Sequence, residues 1–514
     1  MVSHNTIAMR SFISLLFLLA FLSFLPAQTL LKQVAIVNGG QFGNPADNAN
    51  LYLYDPAAGT GVSLDTIQTQ SIQDILLEDH YAYVAAQDSI VKYDLAAGQR
   101  VAAQAFGGAS TISLGLYGDY LLVGNWYAPF GWTGPYPNHF RIFDKHSLTL
   151  VDSIPAVQRG AIDFVVLGDT AYIVQNYTTA SFSDSAGYLA VVDLRTRTWV
   201  RDIVLDDNGL GRLLVQDSVI YALNPGSDTR LAYDSRTGAW NSLPIAADLQ
   251  LRGNGSQLAQ YDGRTYCKMN GGLGSLDVVG GLVLDSLLID TAVTAFALDT
   301  LGGRFFITQT DFFSYTQGGI YDMDGVKTGS LPVGSAPEAI AVVYNRLPEA
   351  TADSGMVMAG QTLRLAVLAN DRDPEGYALT AQVLDLPGKG TAAFDGDTLV
   401  YTWNQLDAGR DSLSYVVADV WGDADTAWVQ IAIGQTEAID SAMQALRAWP
   451  NPAGAAVTLR TARGDVQAWH LLDMQGRSLR AGLLRGETTI PLDGLPAGVY
   501  LLRAGTASLR LIKQ

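Results

Sequence analysis

The chain is poor in cysteine, in positive charge and in histidine, and each shortage removes a class of protein. Cys267 is the single cysteine among 514 residues. No internal disulfide can form, so the fold is held by its cores alone, and Cys267, in a strand-like run, reads as a small buried apolar residue. Only 16% of residues are charged, and the formal net charge is −18. An acidic surface repels phosphate backbones, so nucleic acid is not an expected partner. Histidines number five. Of these, His80, His139 and His146 are spaced like neither a zinc pair nor a member of a catalytic triad. There is no GxSxG elbow and no P-loop. The expectation is a protein that is not an enzyme and carries no catalytic cofactor. Long apolar runs are missing beyond the N-terminus, where Arg10, the run Ser11 to Leu25 and the Leu25-Pro26-Ala27 step read as a secretory signal over residues 1–27.

Hydrophobic residues reach 48% and glycines number 52. That balance suits packed strands joined by tight turns. A strand ending near an aspartate, followed by a turn and another strand, recurs at Asp55, Asp94, Asp144, Asp193, Asp234, Asp277 and Asp322. The spacing of 39 to 50 residues is that of a four-stranded propeller blade. Pairs such as LGLYGDYLLVGN and FVVLGDTAYIVQN supply the other two strands. The first unit lacks its first strand, and Ala336 to Tyr344 reads as a first strand with nothing after it. The two are expected to pair and close the ring.

The predicted fold is all-β: a seven-bladed β-propeller over 28–346, then an Ig-like β-sandwich over 347–433, a linker at 434–446 and a small C-terminal β-sandwich over 447–514. The repeat resembles the propellers of bacterial surface-layer and YVTN-type proteins, with asparagine ending the second strand at Asn38, Asn125, Asn176, Asn224 and Asn270 and aspartate ending the third. These short polar side chains are expected to close turns on the backbone. Loops between second and third strands share one face and are long in units one, three, four and seven, which is where a ligand would sit. The third carries Trp126, Tyr127, Phe130, Trp132 and Tyr136. Trp126, Tyr127, Trp132 and Tyr136 are candidates to stack on a sugar or grip a peptide.

The segments LANDRDPEGYALT, DGDTLVYTW and DSLSYVVADVWGDADTAWVQI resemble bacterial cadherin-like or Ig-like repeats of adhesins. The resemblance implies a calcium edge at Asn370, Asp371, Asp373 and Glu375, with Asp419 and Asp423 approaching from a later strand. Tyr377 stands where the family has a further acid.

The last seventy or so residues differ in charge. From Ser441 onward nine Arg/Lys face four Asp/Glu, a net of +5 against −23 for the rest. This segment resembles the C-terminal sorting domain of type IX secretion. It carries Pro450, Asn451 and Pro452, then Asp473, Gly476 and Arg477, then Leu495, Gly498 and Tyr500, and finally Lys513. Gly476 and Gly498 are each expected in a turn. The resemblance implies recognition by the secretion machinery and its sorting protease, and attachment to the outer-membrane surface or release. The expected function is a secreted or cell-surface binding or adhesion protein whose propeller is the head for a glycan or protein ligand. The alternatives are an extracellular carbohydrate-active or lactonase-like enzyme and a structural surface-layer component.

Overall fold

The computed structural model describes residues 28–514 except 88, 106–110, 126–139, 177–186, 206–208, 252–256, 359, 404–407, 435–445, 462–465 and 506. The chain divides into two compact units. The first holds 1–349 with 372–379 and 418–424, and the second holds 350–371, 380–417 and 425–514.

The first unit is built of four-stranded antiparallel sheets, seven among the described residues. Sheet one orders Pro337–Arg346, Thr29–Asn38, Ala49–Asp55 and Thr60–Ile67. The late strand thus pairs with the first described one, in register from Thr29 opposite Arg346 to Asn38 opposite Pro337. Sheets two to seven each use four consecutive strands, beginning at Asp74, Thr111, Gly160, Arg212, Ala259 and Ala295.

Burial explains the uneven polarity of the strands. Second strands such as Tyr81–Ala86 (YAYVAA) and Val219–Asn224 (VIYALN) are buried at nearly every position. They are covered on both sides, so they read as continuous apolar runs and not as alternation. The fourth strands lie at the outer edge, and Trp240–Pro244 is exposed throughout. A hydrophobic cluster lies between each consecutive pair of sheets. Leu53 and Val84 join sheets one and two, Tyr83 and Phe143 two and three, and Phe140 and Phe164 three and four. Val174 and Ile220 join four and five, Leu223 and Cys267 five and six, and Tyr266 and Phe305 six and seven. Ile36 and Phe306 return from seven to one. Each such side chain contributes about 1.5–3 kcal/mol by burial. Cys267 is fully buried, and burial pushes its thiol up to about 12.

The second unit contains two sandwich-like pairs of sheets. In one, Asp353–Met358, Ala424–Gly434, Gly409–Ala418 and Thr380–Asp385 form a sheet, with Thr362–Leu365, Thr398–Thr402 and Thr391–Asp395 as its companion. Trp403, Tyr401 and Tyr415 are fully buried there. In the other, Leu446–Trp449, Ala456–Thr461 and Glu487–Pro491 accompany Ser478–Leu484, Gln467–Leu472, Gly498–Ala504 and Ala507–Lys513. One core holds these strands together, with Trp469, Leu471, Ile490 and Leu511 among its members.

Candidate binding face

Antiparallel order puts the two ends of each sheet in the first unit on opposite sides. At one end every repeat aspartate closes a turn. The Oδ1 of Asp144 accepts the N–H of His146 and Ser147 at 3.1 and 2.7 Å, and that of Asp193 accepts Arg195 and Thr196 at 2.9 and 3.0 Å. Asp55, Asp94, Asp234, Asp277 and Asp322 do the same. These N–H donors hold the carboxyls of Asp144, Asp193 and Asp234 below the usual range.

The other end carries the loops. In sheet one, residues 39–48 are clamped by Gln70, whose Nε2 donates to the carbonyls of Gln41 at 3.0 Å, Asp47 at 3.3 Å and Asn44. Gly40, at φ +78°, has no room for a side chain, because a Cβ there would meet the Asp47 carbonyl. In sheet seven, Asp311 accepts the N–H groups of Phe313, Ser314 and Tyr315 at 2.9, 2.8 and 2.8 Å. Those donors hold its carboxyl far below the usual range. The two loops are joined by Phe42 N–H donating to the Phe312 carbonyl at 2.9 Å.

Between them stands a group of exposed aromatic rings. Phe42 and Phe313 are 62% and 58% exposed and meet edge to face at 5.9 Å. Tyr315 is 48% exposed and its hydroxyl donates to Gln317 Oε1 at 2.6 Å. Phe312 sits at φ +68°, a conformation that costs a bulky residue energy and that clusters at functional sites. A cavity of about 240 Å³ lies among Gln41, Thr310, Phe312, Phe313 and Tyr315. The arrangement can stack on a planar or C–H-rich ligand. Its carboxylates, Asp47 and Asp311, are engaged by backbone N–H groups.

A different set of acids lines the first strands. Glu338 accepts Ile72 N–H at 2.9 Å, Asp74 accepts Leu114 N–H at 3.1 Å, and Asp163 accepts Leu213 N–H at 2.7 Å. Each acid thereby latches one sheet to another. Burial pushes the Asp74 carboxyl up to about 6, opposed by Arg212 and by the Leu114 N–H. Arg212 lies 3.5 Å from Asp163.

Trp126, Tyr127, Trp132 and Tyr136 lie outside the described residues. Asp371 and Asn370 fall in the second unit, where Asp371 accepts Thr351 N–H at 2.7 Å and the Tyr415 hydroxyl, while Asn370 donates to the Thr351 carbonyl at 3.3 Å. Asp373 and Glu375 fall in the first. Asp373 Oδ1 accepts Glu375 and Tyr377 N–H, both at 2.9 Å, and Glu375 pairs with Arg346 at 2.6 Å. Asp423 pairs with Lys32 at 2.8 Å, and Asn345 donates to Asp419 and Asp423 at 2.6 and 2.7 Å. Arg346 and Lys32 thus pair with two of these four carboxylates. Among the described residues no three His, Cys, Asp or Glu side chains are grouped to hold a metal.

In the tail, Asn451 donates to the Arg510 carbonyl at 2.7 Å and accepts Ile512 N–H at 2.9 Å, fastening the Pro450–Pro452 entry to the last strand. Asp473 accepts Arg477 N–H and Nε at 2.9 and 2.7 Å around Gly476, at φ +80°. Lys513 donates to the Leu495 carbonyl at 2.5 Å and Tyr500 to the Pro496 carbonyl at 2.6 Å. Gly498 departs from its expected turn. It opens the strand Gly498–Ala504, and the turn residue with positive φ is Gly494, at +76°.

Residues 345–432 match the family model of the bacterial Ig domain. No curated protein matches the chain. Among solved structures, the extracellular domain of BT4673 from B. thetaiotaomicron is 11% identical, with 80% of this chain and 60% of that one covered and a TM-score of 0.40. The computationally designed Ika8 protein is 15% identical over 59% of this chain and 83% of its own, at 0.37. A chain of the mitotic checkpoint complex is 11% identical over 55% and 87%, at 0.39. By its strands and the family match, the chain is an all-β protein with a bacterial Ig domain. Among the described residues no helix is long and apolar enough to cross a membrane.

Proposed function

We propose that the chain is a secreted or surface-displayed binding protein, with the first unit a seven-bladed β-propeller that presents its ligand face on the loops at 39–48 and 311–315. The observation that carries the reading is the group Phe42, Phe312, Phe313 and Tyr315, exposed on a rigid scaffold and fixed by backbone hydrogen bonds. The cyclic order of hydrophobic clusters, with Pro337–Arg346 completing sheet one, supports the propeller. The engagement of Glu338, Asp74 and Asp163 as latches favours binding over hydrolysis by paired carboxylates. The Ig domain supports a surface location. The signature residues of the tail, placed in a self-contained sandwich, support its role as the sorting domain of type IX secretion.

The test is retention of the full exported chain on arrays of glycans and extracellular proteins. Phe42→Ala with Phe313→Ala is expected to remove retention at unchanged melting temperature, and equal retention would refute this face. For the tail, deleting 447–514 is expected to leave the protein inside the outer membrane; surface delivery without it would refute the sorting role.

A further inference from the structure

A second pocket lies at the opposite end of the sheets, among the aspartate turns. It is a cavity of about 310 Å³ between sheets five and six, walled by Tyr221, Arg230, Ala232, Trp240, Asn241 and Val279. Its volume falls in the range of small-molecule sites. Arg230 is 2% exposed. Its Nη1 donates to Asn241 Oδ1 at 2.8 Å and its Nη2 to the Val279 carbonyl, both neutral acceptors. Its Nε has no hydrogen-bond partner. Arg212, buried in the same unit, has Asp163 beside it. Arg230 has none in contact, and Asp277 acts on it only through space. A buried guanidinium with an unused N–H and no counter-ion is an unfavourable arrangement unless something completes it.

The walls indicate what completes it. Trp240 leaves 36% of its surface exposed at the rim. Arg230 covers the Tyr221 ring at 5.4 Å, which orients the guanidinium plane within the cavity. Asp234, also on the lining, is engaged by the N–H groups of Arg236 and Thr237 at 2.8 and 3.3 Å. The geometry points to an acidic sugar: a carboxylate meeting Arg230, with the C–H face of one pyranose on Trp240. This site is on the other end of the sheets from Phe42 and Phe313, so it stands or falls independently of the loop face.

Calorimetric titration of the full chain with glucuronic acid, glucose and N-acetyl-glutamate tests the assignment. Glucuronic acid is expected to bind at least about tenfold tighter than either of the others. Trp240→Ala, at the rim and outside the core, is expected to weaken it about tenfold with the melting temperature unchanged. Arg230→Lys, which keeps the charge and loses the Nε donor, is expected to abolish the preference over glucose. Equal binding of glucose, tighter binding of N-acetyl-glutamate, no heat with millimolar glucuronic acid, or binding untouched by Trp240→Ala in a folded protein would each overturn it.

Discussion

The two ends of the repeat strands behave differently. At the turn end seven aspartates each take up backbone N–H groups of their own turn. At the loop end Asp311 plays the same part, yet the loop it closes holds Phe312 at φ +68° and lifts Phe313 into solvent. The same local chemistry thus serves two purposes. Where the turn is short, the cap stabilises the fold and leaves nothing over. Where the loop is longer, the cap holds apolar rings in a position that folding alone does not favour.

The largest expected effect separates the scaffold from the loop face. Phe306→Ala, at a fully buried position in the cluster joining sheets seven and one, should cost about 3–5 kcal/mol in denaturant unfolding. Phe313→Ala, at 58% exposure, should leave the midpoint where it is. Comparable losses from both would erase the distinction between the two ends.

A smaller effect concerns the latches between sheets. Because Asp74 is raised to about 6 from 3.8, its contribution to stability is full below the unfolded value and is lost as pH rises through about 6. Asp74→Asn should therefore stabilise the protein at pH 8 by up to about 3 kcal/mol and have little effect near pH 4. Urea titrations at both pH values check this.

The turn caps respond in the opposite sense. The carboxyl of Asp193 is held below the usual range by its N–H donors. Its stabilisation is present above the unfolded value of 3.8 and is lost as pH falls through the lower folded value. Asp193→Ala should lower the melting temperature at pH 7 and have less effect at pH 2, as read by thermal melts.

The smallest expected change is at the acidic edge. Arg346, 45% exposed and paired with Glu375, should contribute under about 1 kcal/mol. Millimolar calcium should leave the melting temperature in place, since Glu375 and Asp423 are already taken up by Arg346 and Lys32.

What was legible in the sequence was what local chemistry determines. The aspartate turns could be read because the donors lie two or three residues from the acceptor. The pairing of Ala336–Tyr344 with the first strand followed from an incomplete unit at each end. The Ig strands showed through their alternation. The latches did not show, because Asp74 and its donor Leu114 are forty residues apart and only the packed sheets bring them together. Arg230 was hidden for the same reason: nothing near it in sequence marks it as buried without an acid. At the loop end the sequence marks the unit-seven loop as long, but its aromatic content is less dense than the run Trp126 to Tyr136, and nothing local shows that Phe313 meets Phe42. The misplaced Gly498 shows that Pro496 alone does not locate the turn, since Gly494, in the Asp493-Gly494 step four residues earlier, takes the positive φ.

Hydrogen–deuterium exchange of the full chain, with and without the best-retained array ligand, tests the contrast between the two ends most directly. The account predicts slowed exchange at 39–48 and 311–316 and no change at the aspartate turns of sheets three and four. Protection confined to those turns, with the loops unaffected, would contradict it.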